Sequence, residues 1–278
     1  MNKAAQVYLF QLGMRFSAML PRTVMIKIAK ILAAPGFLLA GKASKIIKKN
    51  LMYCNQKKYS YNTFKTITNY AVYLSDLFRI PVFDKDTLMN IVNIMGTENL
   101  DKALKLNRGV ILITAHIGNW DLAGVYVASL GYPLTAVVEE IPELSDFYNF
   151  LRTRTGMETV FMREREKMVT ALRNNRILVL LGDRDLTSRG IKVKFLSGEK
   201  AIPRGPAAFA IKYNVPIIFG YFVLNDNRKN SYIAEISEPI FPEDRSFEEL
   251  SQIIANRLGE YIGRFPTQWF VFRDEWKS

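Results

Sequence analysis

An α/β fold, with a mixed but mostly parallel central sheet flanked by helices, is predicted for this chain by three observations. Apolar runs of strand length recur after residue 100: Val110 to Ala115, Leu134 to Val138, Ile177 to Leu181 and Asn214 to Val223. Between them lie segments whose apolar residues fall at helical spacing, the alternation expected of strands joined through helices. The chain has 278 residues and is 49% hydrophobic, enough to bury one sizeable core.

The first hundred residues differ from the rest and are read as a basic, amphipathic helical region (1–100), joined in one continuous globule to the α/β domain (101–278). From Met1 to Ser75 there are twelve Lys or Arg residues and no Asp or Glu, and the first acid is Asp76. The remaining 26 bases equal the 26 acids, so the formal charge of +12 belongs to this quarter of the chain and calls for an anionic partner at one end. The apolar residues interleaved with those charges, among them Val7, Leu9, Phe10, Phe16, Val24, Ile28, Ile31 and Leu32, favour a membrane surface over nucleic acid. The longest charge-free runs, Ala4 to Met14 and Ile31 to Gly41, fall well short of the ~20 residues that span a bilayer. Helices lying in the lipid interface are therefore expected, and no signal peptide, since no charge-free stretch leads into a cleavage site.

Further along, Ala43 to Leu51 continues the basic helical pattern, and Tyr61 to Ile80 is a second amphipathic helix whose aromatic stripe reads as core before Pro81 ends it. Leu88 to Met95 reads as a short strand or helix and Asn99 to Leu106 as a helix. One cysteine, Cys54, and one histidine, His116, argue against a disulfide framework and against a metal site.

That histidine stands where the run Val110 to Ala115 stops. Gly118 and Asn119 are turn and cap residues, and from Trp120 the spacing is helical until Gly131. A strand thus delivers His116 to its C-terminal mouth, where open α/β sheets usually keep their chemistry. Asp121, in the first helical turn, is expected to hold the ring in one tautomer with Nε2 free as a general base. Most single histidines merely fill space or cap a turn, but the aspartate and the motifs downstream favour chemistry here.

After the next strand, ending at Glu139 and Glu140, a helix from Ser145 to Gly156 carries Arg152 and Arg154. Gly156 to Arg165 reads as a strand bringing Arg163 to the same sheet edge, and a helix from Glu166 to Asn175 returns the chain. The strand Ile177 to Leu181 opens into GDRDLTSRG, either a structural ion-pair turn or part of an acceptor site. Lys192 to Gly198 alternates like an edge strand, Gly205-Pro206 opens a helix, Ser231 to Ser237 is a further strand, and Phe247 to Ile262 is a long amphipathic helix.

His116-x-x-x-x-Asp121 resembles the signature of the glycerolipid and lysophospholipid acyltransferases, and the string HIGNWD resembles the branch that holds the lipid A late acyltransferases and the phosphatidylinositol mannoside acyltransferases. Gly156, Phe161 and Arg163 are spaced as in the second block of that superfamily, Val215 to Ile218 resembles its fourth, and the tail PTQWFVFRDEW resembles the Pro-x-Gln-Trp ending of the lipid A branch. The Glu-Gly-Thr-Arg form of the third block is absent around Glu199 and Arg204. The resemblance implies a glycerolipid acyltransferase-like fold with His116 and Asp121 as catalytic residues. It also implies Glu139, Arg154, Arg163, Asp183, Arg184, Asp185, Glu199 and Arg204 as substrate-binding candidates.

The expected activity is transfer of a fatty acyl group from an acyl thioester, on acyl carrier protein or coenzyme A, to a hydroxyl of a phospholipid or glycolipid. The thioester is a co-substrate, and no other cofactor is expected. The expected setting is the cytoplasmic face of a bacterial inner membrane, with an anionic lipid surface as partner and no nucleic acid. No Gly-x-Ser-x-Gly elbow or Cys-His pairing is present, which disfavours a covalent acyl-enzyme. The competing classes are a basic nucleic-acid-binding protein and a lipid-binding protein without turnover.

Overall fold

Alternation along the central strand β2 (Val110–Thr114) divides the molecule into two layers. Val110 and Leu112 join one hydrophobic cluster, and Ile111 and Ile113 join the other. The computed structural model describes residues 3–139, 156–225, 228, 231–243 and 245–276. Within these, β2 lies in a seven-stranded sheet with β1 (Val92–Met95), β3 (Leu134–Val138), β4 (Glu158–Phe161), β5 (Ile177–Leu181), β8 (Ile217–Leu224) and β9 (Tyr232–Ile236). The order is β1-β9-β8-β2-β5-β3-β4. From β8 to β4 all neighbours are parallel; β9 runs antiparallel to β8, and β1 is parallel to β9. The sheet is therefore mixed and mostly parallel, as the apolar runs predict.

Helices cover both faces. On one side lie α5 (Lys85–Ile91), α6 (Thr97–Leu104) and α7 (Trp120–Ser129), whose Leu122, Val125 and Tyr126 meet Val110, Ile218 and Phe222. On the other lie α8 (Arg165–Arg173), α9 (Gly205–Tyr213) and α10 (Phe247–Arg264). α10 begins at a reciprocal cap: Ser246 Oγ accepts from the Glu249 amide at 3.1 Å while Glu249 accepts from the Ser246 amide at 2.8 Å. Its apolar residues Leu250, Ile254, Leu258, Tyr261 and Ile262 recur at helical spacing and are buried.

One expectation fails here. β6 (Ile191–Phe195) is not an edge strand of the sheet but pairs antiparallel with β7 (Gly198–Ile202) in a separate hairpin. Its alternation is satisfied by α10: Val193 and Phe195 turn inward to that helix's cluster, while Lys192 and Lys194 face outward. Glu199 belongs to β7.

Four N-terminal helices, α1 (Lys3–Met19), α2 (Arg22–Leu39), α3 (Gly41–Tyr53) and α4 (Tyr59–Arg79), form a layer in which the first three pack on α4. α4 in turn touches α7 and the turn Pro266–Gln268. Its inner face is tied to the sheet by a buried polar chain. Arg22 grips both oxygens of Asp76 at 2.8 and 2.6 Å, the Tyr232 hydroxyl donates to Asp76 at 2.6 Å, and Asn119 donates to the Tyr232 oxygen at 3.3 Å. Burial, and then the Asp76 charge, push the Tyr232 phenol well above its usual range, so it stays a donor. Arg79 donates to the carbonyls of Ser17 and Leu20.

The outer face is left unpacked. On α2, Val24, Ile31 and Leu38 are seven positions apart and so share a side; all are exposed, as are Leu32, Lys27 and Lys30, and Leu38 and Leu39 are 81% and 87% accessible. Among the described residues no single helix is long and apolar enough to cross a membrane; α2 and α3 pass that test only as a pair, bent by 97°.

Candidate active site

Register between β2 and β5 assembles the centre of the site. Thr114 pairs with Leu181, and the Gly182 amide extends the ladder to the Thr114 carbonyl at 2.8 Å. Two residues beyond the paired ends stand His116 and Asp183, side by side. His116 Nδ1 lies 2.8 Å from Asp183 Oδ1, which also accepts the His116 amide at 3.2 Å. The second oxygen, Oδ2, accepts from the Trp269 indole at 2.8 Å. Burial alone would push the Asp183 carboxyl up. The charge and hydrogen bond of His116, the Lys200 ammonium and the Trp269 indole together outweigh it and hold the group well below the usual carboxylate range. An ionised carboxylate can only accept, so Nδ1 is the donor and the lone pair of the neutral ring sits on Nε2.

The carboxylate on the ring is thus Asp183 and not Asp121, to which the spacing points. Neighbouring strands in register bring Asp183 to His116 directly, whereas Asp121, on α7, accepts from the Tyr73 hydroxyl of α4 at 2.8 Å. Asp121 nonetheless lines the same cavity as His116.

Backbone clamps fix the loop after β2. The Gly118 amide donates to Gln268 at 2.8 Å, the Phe270 amide to His116 at 2.8 Å, and the Asn119 amide to Phe222 at 2.9 Å. Gly118 has φ +60°, and a Cβ there would stand 2.0 Å from the Phe222 carbonyl oxygen, so only glycine fits. Asn119 caps α7 by accepting from the Leu122 amide at 3.0 Å.

The dyad opens on a cavity of about 430 Å³. Apolar walls come from Val137, Val138, Phe161, Met168, Leu180 and Phe209, and Glu139, Arg184, Asp185, Arg189 and Arg204 supply polar groups. Several of these have structural duties as well. Arg184 donates to Glu275 at 3.0 Å, Asp185 accepts from Thr187 and Gly190 within its own loop, and the Arg204 guanidinium lies 4.6 Å from the centre of the Phe247 ring.

Three sequence candidates are not part of the lining: Asp183, expected at the substrate, is fully buried behind His116, and Glu199 and Arg163 also lie outside it. Glu199 pairs with Lys192 at 3.1 Å across the outward face of the hairpin, and Arg163 lies over the Phe161 ring at 5.0 Å, although Phe161 and Met162 do line the cavity. Arg154 lies outside the described residues.

Three contributors escape the sequence reading. Trp269 reads as core and is core, yet its indole holds Asp183. Tyr73 is singled out by nothing in the sequence, yet it reaches Asp121 and stacks on Trp120 at 4.6 Å. Lys200 sits opposite Val193 in the hairpin, on its inward side, and donates to the Asp183 carbonyl at 2.6 Å. Strand alternation could have found Lys200, because an inward lysine between inward apolar residues needs a partner.

A family model described as bacterial lipid A biosynthesis acyltransferase matches residues 1–278. The chain belongs to that family. Membership makes it an acyltransferase of lipid biosynthesis, with a lipid acceptor and an acyl thioester donor, as the HIGNWD string implies. It is 26% identical over 220 residues to the phosphatidylinositol mannoside acyltransferase of Mycolicibacterium smegmatis, covering 76% of this chain and 71% of that protein. The Mycobacterium tuberculosis (H37Rv) protein of the same name is 25% identical over 220 residues, covering 76% and 69%. Among solved structures, the 1-acyl-sn-glycerophosphate (LPA) acyltransferase PlsC from Thermotoga maritima aligns with TM-score 0.43 and 16% identity, over 89% of this chain and all (100%) of that one.

Proposed function

We propose that this acyltransferase works at a membrane surface, moving a fatty acyl chain from the thioester of coenzyme A or acyl carrier protein to a hydroxyl of a phospholipid or glycolipid headgroup of the lipid A or phosphatidylinositol mannoside kind. The observation that carries the chemistry is the His116–Asp183 pair at the mouth of a largely apolar cavity. The acyl chain lies along Val137, Phe161, Met168 and Phe209, which brings the thioester carbonyl to the ring. Nε2 takes the proton of the acceptor hydroxyl as its oxygen bonds to the carbonyl carbon. Asp183 stabilises the imidazolium that results. When the tetrahedral adduct collapses, the carbon–sulfur bond breaks, the imidazolium returns its proton to the departing thiolate, and no covalent enzyme intermediate forms.

Asp121, Glu139, Arg184, Asp185 and Arg204 line the same space and are assigned to the substrates: the arginines to phosphate groups, the acids to headgroup hydroxyls. The membrane half of the reading is supported by the open apolar face of α2 beside Lys27 and Lys30, and by the charge of the N-terminal quarter. A thioester donor made inside the cell puts the working surface at the cytoplasmic face of the inner membrane.

His116→Ala tests the chemistry. Loss of the general base should lower kcat by roughly 10² to 10⁴ while the melting transition stays near that of the native protein. Undiminished turnover of thioester and lipid in that variant would end this assignment.

A further inference from the structure

Beneath the dyad lies a buried cation that no step above uses. The Lys200 side chain is fully buried, with an accessibility of 0%. Its ammonium donates to the Asp183 carbonyl at 2.6 Å, stands 3.9 Å from Glu275, and lies 5.3 to 5.7 Å from the ring centres of Phe195, Trp269 and Trp276. A lysine is seldom enclosed like this without a compensating task, since removing an ammonium from water costs several kcal/mol. Here the compensation is a carbonyl, a carboxylate and three aromatic faces. Its principal contact is the backbone of the residue whose side chain holds His116. A second link is the Trp269 indole, which forms one wall of the box and also donates to Asp183.

We propose that Lys200 is a positioning residue for acyl transfer, a buried charge that acts through Asp183 to hold the His116 ring as a free base. This rests on the reading of His116 as general base. Lys200 touches no substrate, because its side chain is sealed from the cavity. It acts in two ways. The bond to the carbonyl fixes the turn Gly182–Asp183, and the positive charge favours the ionised carboxylate and disfavours a second positive charge on the imidazole. The other groups around it are Arg184, Asp185 and Glu275, with Asp121 and Tyr73 lining the cavity that the ring faces. Burial pulls the lysine's own pKa down, and Asp183 and Glu275 oppose that pull.

The experiment uses the chain's single histidine, which gives one set of imidazole signals in the untagged, ¹⁵N-histidine-labelled protein. In Lys200→Met, a flexible apolar chain fills the aromatic box. The ring's titration midpoint should then rise by on the order of one pH unit, and the acid limb of the kcat profile should move up with it. At neutral pH kcat falls while KM holds, because no substrate contact is lost. Lys200→Arg, which keeps the charge, should restore the midpoint even if packing lowers kcat. An unmoved midpoint in a folded Lys200→Met or Lys200→Gln variant would overturn the proposal. So would failure of both neutral variants to fold, which would leave Lys200 a purely structural cation. Loss of the general-base reading itself is separate and is scored by His116→Ala: activity there removes the premise, whereas an inactive His116→Ala with an unmoved Lys200→Met midpoint removes only this inference.

Discussion

At the mouth between β2 and β5, the polar groups at the centre are paired: both oxygens of Asp183, the ring Nδ1, the amides of His116 and Gly118, and the Lys200 ammonium. On the outward side of α2, Val24, Ile31, Leu32, Leu38 and Leu39 stand exposed beside Lys27 and Lys30, with no described residue covering them. The first region is preorganised, its charges and donors already in place, the arrangement that would serve the proton transfer proposed above. The second is an open apolar and basic face, the one assigned above to the membrane surface. The two meet through α4, which gives Tyr73 to Asp121 and, three residues on, Asp76 to the chain of Arg22, Tyr232 and Asn119. The loop that carries His116 is therefore fastened at one end to the sheet and at the other to the layer that carries the exposed face.

The largest effect should come from breaking the closed region. Asp183→Asn removes the acceptor that sets the tautomer, and by analogy with amide replacement in other carboxylate–histidine pairs kcat should fall by about 10³ to 10⁴. In the same ¹⁵N-histidine spectrum, Asp121→Asn should leave the Nδ1–H tautomer of His116 in place. If Asp121→Asn changes the tautomer and Asp183→Asn does not, the pairing described here is wrong. The Asp183 carboxyl is held low in the folded protein, so its contribution to stability is present at neutral pH. It is full above the ordinary carboxylate range, declines progressively as pH falls from that range, and is gone once pH reaches the lowered folded value.

Next comes the fastening. Arg22→Met leaves Asp76 buried without its cation and should cost about 3 to 5 kcal/mol in urea unfolding. Restoring most of that loss with Asp76→Leu in the same chain would show that the pair serves arrangement more than stability. An Arg22→Met protein as stable as the native one would mean that the N-terminal layer is not held through Asp76.

The smallest effect belongs to the open face. Leu38→Asp together with Leu39→Asp removes apolar contact worth roughly 1.5 to 3 kcal/mol per side chain. Flotation with vesicles containing anionic lipid should weaken by at least about tenfold, with the melting temperature unchanged. Undiminished flotation would point the membrane contact to another part of the surface.

Local pattern sufficed for much of this molecule. The turn that delivers His116, the cap at Asn119, the strands β3, β5 and β8 and the helices α4, α7 and α10 follow from short-range periodicity, and each was readable in the chain alone. What was not readable depends on pairing across distance. That β5 lies beside β2, with Thr114 opposite Leu181, is what makes Asp183 the ring's partner, and no spacing within HIGNWD contains it. The strand β6 reads as a sheet edge because alternation is the same whether a strand borders a large sheet or pairs in a small hairpin. Trp269 reads as core because a buried aromatic looks alike whether its polar end is idle or bonded, and no spacing singles out Tyr73.

The last strand of the sheet ends at Ile236, yet the dyad is not secured until Gln268, Trp269 and Phe270 arrive from beyond α10. A ribosome that has finished every strand has not finished the enzyme. Chains stalled or proteolytically clipped between β9 and that tail would possess their sheet but lack the groups that hold His116 and Asp183 in place.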